Sequence, residues 1–161
     1  MNPGSEGALL HPAAMPRGRH SATHTSVIVA LHVATGAAVG AATGSRLAAL
    51  LLGPALHLAG DRVPHRDFHS TRFEIGTGVA GIALLAARRG PLDPATLGAA
   101  ASSAPDLEHV LPFLRPSGRK LFHDRLGWHR DGPFSAHLQL LLAGVILVAM
   151  IARPKVGSAR L

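Results

Sequence analysis

Residues 57–74 run from an apolar segment into residue types that hold metal ions: His57-Leu-Ala-Gly-Asp61-Arg-Val-Pro-His65-Arg-Asp67-Phe-His69-Ser-Thr-Arg-Phe-Glu74. His57 and Asp61 are four positions apart, which places both on one face of a helix, and His65 continues the spacing if the backbone stays roughly helical past Pro64. Neutral imidazole and carboxylate are the nitrogen and oxygen donors that divalent ions accept, zinc first among them, and the chain has no Cys to offer a thiolate. The expected chemistry is a divalent metal site on His57, Asp61 and His65. The alternative is a set of solvated loop residues that follow a core helix.

A second cluster of the same types lies further on: Pro105-Asp106-Leu-Glu108-His109, then His123, His129, Asp131 and His137. A bound divalent ion lowers the pKa of its water to about 7, so a nearby carboxylate can take the proton from an attacking water. Glu108 or Glu74 would be that base, Glu108 being the one assigned. Arg66, Arg72, Arg115 or Arg130 could hold a phosphate by paired hydrogen bonds.

Five apolar segments must position these groups. They run over Ser26–Gly44, Leu47–Gly60, Ile75–Ala87, Pro94–Ala104 and Phe134–Ala152, with Pro54 expected to kink the second. The chain has 161 residues, 47% apolar and 16% charged, with a mean hydropathy of +0.26. That balance is unusual for an aqueous domain of this length and predicts an all-α, multi-pass membrane bundle of about five helices. Aromatics are only 4%, so the apolar mass is Ala, Leu, Val and Gly, which suits helices that approach closely. Gly36, Gly40 and Gly44, spaced by four, would give the first helix a flat face. His32 lies in that helix, either packed in the core or functional, as ionisable groups inside a bilayer tend to be.

Alternation of five segments across a membrane puts loops 61–74 and 105–133 on the side of the N-terminus. Asp61, Asp67, Glu74, Asp106, Glu108, Asp124 and Asp131, seven of the nine acidic residues, lie in these loops. Ten of the sixteen basic residues fall on the same side: Arg17, Arg19, Arg62, Arg66, Arg72, Arg115, Arg119, Lys120, Arg125 and Arg130. The positive-inside rule then places this face in the cytoplasm of an inner-membrane protein. An echo of Thr35-Gly36, Arg46, Asp61 and His65 in Thr77-Gly78, Arg88-Arg89, Asp106 and His109 suggests a duplicated helical hairpin. Residues 1–22, rich in Pro and Gly, read as a disordered lead, 23–153 as the membrane domain, and 154–161 as a basic tail. The formal charge of +7 does not read as nucleic-acid binding, because the basic residues are dispersed among short loops.

Pro105-Asp106-Leu-Glu108-His109, His32 to Gly36 in the first helix, and the later His129-Arg130 to His137 resemble the bacterial family of inner-membrane metal-dependent hydrolases. Its members carry a first-helix His, Pro-Asp-x-Asp-His and His-Arg-Gly-x-Thr-His-Ser. Glu108 stands where the family has its second Asp, and the last motif has no clean counterpart here. The resemblance implies His32, Asp106 and His109 as ligands and leaves open which later His, His129 among them, completes the site. His57-x-x-x-Asp61-x-x-Pro64-His65 is more weakly similar to zinc-dependent phospholipases C and related nucleases.

Three function classes follow. The first is a membrane metal-dependent hydrolase acting on phospholipid or another amphiphilic ester. The second is a non-catalytic membrane protein whose His and Asp residues form a metal or ion site. The third is a small membrane scaffold subunit. No nucleophile elbow, P-loop or dinucleotide glycine motif is present.

Overall fold

Short polar side chains start four of the helices by accepting backbone N–H groups that have no partner in the first turn, Ser135 Oγ doing so for Leu138 N at 3.3 Å. Ser45 Oγ accepts from Ala48 N at 3.3 Å, Ser70 Oγ from Phe73 N at 3.3 Å, and Asp93 Oδ1 from Ala95 N at 2.9 Å, with Pro94 occupying the first helical position. The computed structural model describes residues 28–122 and 132–152. Within them the chain is all-α: α1 (Val29–Thr43), α2 (Arg46–Gly60), α3 (Thr71–Arg89), α4 (Pro94–Ser103) and α5 (Ala136–Ala152), with a 3₁₀ segment Ala104–His109 directly after α4. The expected lead at 1–22 and tail at 154–161 lie outside the described residues.

The membrane expectation is overturned. No helix among the described residues is long and apolar enough to cross a membrane. A span needs about 20 apolar residues; α5 is apolar but 17 residues long, and α3, at 19, carries Arg72, Glu74, Arg88 and Arg89. The transmembrane bundle and the inner-membrane placement with cytoplasmic loops fall together, because both were built on spans that the helices do not provide.

α1 packs chiefly on α4 and also touches α2, α3 and α5. The approach to α4 is backbone to backbone. A Cβ on Gly36 would lie 2.3 Å from the Gly98 carbonyl oxygen, and one on Gly40 2.0 Å from that of Pro94. Gly44 is no part of this face: with φ of +63° it is the left-handed cap of α1, its N–H donating to Gly40. Pro54 sits inside α2 without ending it.

The core comprises two patches on α1. Val33, Ala37, Leu85, Ala95, Ala99 and Met150 form one; Ile28, Ala30, Ala34, Ala136 and Ala143 form the other. Gln139 anchors α5 to the rest. It is fully buried, its Oε1 accepts from Ile28 N at 3.3 Å, and its Nε2 donates to Arg66 O at 2.7 Å and Phe134 O at 3.3 Å. Beside it, Arg66 N donates to Phe134 O and Gly132 N to His65 O, so the loop after α2 is paired with the entry to α5. At the opposite end Arg89 donates to Asp93 Oδ1 and to Met150 O, both at 3.0 Å, tying the α3–α4 turn to the last turn of α5.

Candidate metal centre

α1 begins, and α2 and α4 end, at one pole of the bundle. That pole gathers His32 from the first turn of α1, His57 from the last turn of α2, Asp61 as the residue capping α2, and Asp106 from the 3₁₀ turn after α4. Asp61 and Asp106, at the ends of α2 and of the segment after α4, therefore both approach His57.

Asp61 bridges the Nε2 edges of the two imidazoles. Its Oδ1 is 3.2 Å from His32 Nε2 and its Oδ2 is 3.3 Å from His57 Nε2, while Asp106 Oδ1 is 3.7 Å from the same His57 nitrogen. The rings stack with centroids 3.9 Å apart. His32 is 2% exposed, His57 0%, Asp61 3% and Asp106 8%. Gly60 makes room for His32, since a Cβ there would meet its ring at 3.0 Å. His57 Nδ1 donates to the Ser102 carbonyl oxygen at 2.9 Å, which leaves Nε2 as the atom directed at the carboxylates.

His32, His57 and Asp106 form a buried group that could hold a metal ion, each offering one donor atom within 4.8 Å of the others. Within this group His57 Nε2 and Asp106 Oδ1 are 3.7 Å apart, near the roughly 3.4 Å that separates ligands about 2.0–2.2 Å from a tetrahedral zinc.

The charge balance is lopsided toward a cation. Burial opposes ionisation of Asp61, but hydrogen bonds from His32 and His57 outweigh it and hold the carboxyl well below the usual carboxylate range. Burial would keep His57 neutral, but the hydrogen bond to Asp61 and the charge of Asp106 raise its pKa. Asp106 is pushed up to about 7, first by burial; the pull of His57 is met by the nearby charges of Asp61, Glu74 and Glu108. Glu74 is also pushed up to about 7 by burial, although it accepts a hydrogen bond from Phe68 N at 2.8 Å.

The remaining expected site residues are placed as follows. His65 does not join the group: α2 ends at Gly60, and the turn carries His65 away so that its Nε2 faces Asp67 Oδ1 at 3.6 Å while its Nδ1 donates to Val63 O. Glu108 is buried, and its Oε2 accepts from Leu121 N at 2.7 Å and Phe122 N at 3.2 Å, so this oxygen secures the loop after the 3₁₀ turn. His109 closes that turn, its side chain lying outside the described atoms, and His129 lies outside the described residues. The Ser102 carbonyl, which orients His57, is missed by sequence reading because a backbone acceptor leaves no side-chain signature.

Comparison with protein-family models, with curated proteins and with solved structures gives no match.

Proposed function

We propose that the chain is a metal-dependent hydrolase of phosphoesters or carboxylic esters, with a divalent ion, zinc by its nitrogen and oxygen donors, held by His32, His57 and Asp106. The observation that carries this reading is the meeting of these three buried donors from three separate segments, with His57 already oriented through Ser102. When bound, such an ion supplies a water of lowered pKa and polarises the ester oxygen. Glu74 is the better proton acceptor than Glu108: its carboxyl sits near pH 7, where a general base works best, whereas Glu108 is engaged by two backbone amides. This division of labour, and the motif resemblance through His32 and Asp106, support the hydrolase reading.

One observation favours a second reading, a closed structural metal site. Asp61 touches both imidazoles, and if it becomes a fourth protein ligand no position is left for water. Metal analysis of the purified protein tests both. About one equivalent of zinc with hydrolysis of bis(p-nitrophenyl) phosphate or p-nitrophenyl acetate that chelator abolishes and zinc restores supports the hydrolase. One equivalent without turnover, and a cobalt-substituted spectrum unmoved by added anions, supports the structural site. No bound metal overturns both.

A further inference from the structure

Sharing His32 with the metal centre, a cavity of about 320 Å³ is lined by Leu31, Leu56, Ala59, Val63 and Phe134, with His32, Thr35 and Gly60 completing the wall. Its wall is almost wholly apolar. The Thr35 hydroxyl donates back to Leu31 O at 2.9 Å and His32 O at 3.1 Å, so its proton is engaged within α1. Val63 is half exposed at the rim, and Phe134 is fixed by the hydrogen bonds its carbonyl accepts from Arg66 N and Gln139 Nε2. The one metal-binding side chain in this wall is His32, whose Nε2 faces Asp61.

We infer that this cavity holds the single unbranched alkyl or acyl chain of an amphiphilic substrate whose anionic ester head sits at the His32, His57 and Asp106 centre. The inference rests on the hydrolase reading and narrows its substrate class. His32 belongs both to this wall and to the metal group, so a chain in the cavity lies one side chain away from the centre that would hold its head. The volume is at the small end of ligand cavities, which run from about 300 to 1,000 Å³, so it takes one chain and excludes a two-chain lipid or a bulky fused-ring group. Burying each methylene in such a wall strengthens binding about fourfold until the cavity is full.

The test uses the zinc-loaded full-length protein and n-alkylphosphonates from methyl to dodecyl, with binding followed by calorimetry and, on cobalt-substituted protein, by the visible spectrum. Affinity is expected to rise about threefold to fourfold per methylene and then level off, while every member of the series perturbs the cobalt spectrum alike. Ala59→Trp, a substitution at an exposed lining position, is expected to flatten the series while leaving methylphosphonate affinity and zinc content unchanged. Retained zinc and methylphosphonate binding with no dependence on chain length overturns the chain inference alone. A length dependence that Ala59→Trp leaves intact places the chain elsewhere and also overturns it. Failure to bind zinc overturns the inference together with the reading beneath it.

Discussion

The Nδ1–H of His57 donates to the Ser102 carbonyl oxygen across 2.9 Å, so the nitrogen facing Asp61 and Asp106 is Nε2. Its raised pKa means that the metal-free ring takes up a proton on that second nitrogen more readily than a free imidazole does. A metal must displace it. Metal affinity is therefore expected to climb as pH rises toward and past neutrality, by about tenfold per pH unit for each proton released. Calorimetric titration with zinc in two buffers of different ionisation enthalpy counts the protons; a count of zero and a pH-independent affinity would contradict the raised His57 pKa.

Asp61→Asn and Asp106→Asn separate a ligand from a mere neighbour. Each is expected to weaken zinc binding by at least about tenfold while the helical circular dichroism signal stays at the wild-type level. Full zinc occupancy in Asp106→Asn would remove Asp106 from the centre. If only Asp61→Asn keeps its zinc, Asp61 orients the imidazoles without touching the ion.

Without metal, the centre opposes folding at alkaline pH. Asp106 and Glu74, both near 7 in the fold, ionise near pH 4 when unfolded, so they remove stability as pH rises from about 4 through 7. His57, raised in the fold, contributes stability below about pH 6.5 and loses it as pH climbs through its folded value. Asp61, held low, contributes stability above about pH 4 and loses it only in acid, outside this window. The metal-free protein is thus expected to melt lower at pH 8 than at pH 5.5, by roughly 4–8 °C for about 2 kcal/mol at this chain length. Excess zinc at pH 8 should reverse the order. Equal melting temperatures at the two pH values would show that these groups do not titrate on unfolding as described.

Two glycines should respond oppositely to alanine. Gly36→Ala presses a Cβ into the Gly98 carbonyl, where only backbone can yield, and should cost about 2 kcal/mol or more. Gly76, in the interior of α3 with nothing within 4 Å of its would-be Cβ, should gain about 0.5–1 kcal/mol as Ala. Urea melts of the two variants decide it, and equal shifts would refute the close packing of α1 on α4.

The helices and the convergence of Asp61 with Asp106 are legible in the sequence, because apolar segment lengths and alternating direction determine which ends share a pole. His57 and Asp61 are legible from four-residue spacing within one helix. His65 is not, since the spacing argument presumes a helix that ends at Gly60. The membrane expectation fails for a different reason: Ala, Leu and Gly raise mean hydropathy whether they face lipid or a tight helix contact such as that of Gly36 on Gly98. Gln139, in the most apolar segment, joins three backbone groups far apart in the chain, which no spacing in the sequence signals. Glu74 reads as a loop residue, whereas α3 begins at Thr71 and gives it a partly buried place in the first turn.

The contact of Gly36 with Gly98 also acts as an index mark between two rods. Sliding α1 along α4 by one helical turn, about 5.4 Å, would put His32 in place of Gly36 in one direction, driving a Cβ onto the Gly98 carbonyl, and Gly40 in the other, so it is Gly36 on Gly98 together with Gly40 on Pro94 that marks the setting adopted. His32 sits one turn before Gly36, and Asp106 lies eight residues beyond Gly98. The notch that admits the two backbones thereby sets the distance between a donor on α1 and a donor beyond α4, and an error of one turn would exceed the whole span of the centre.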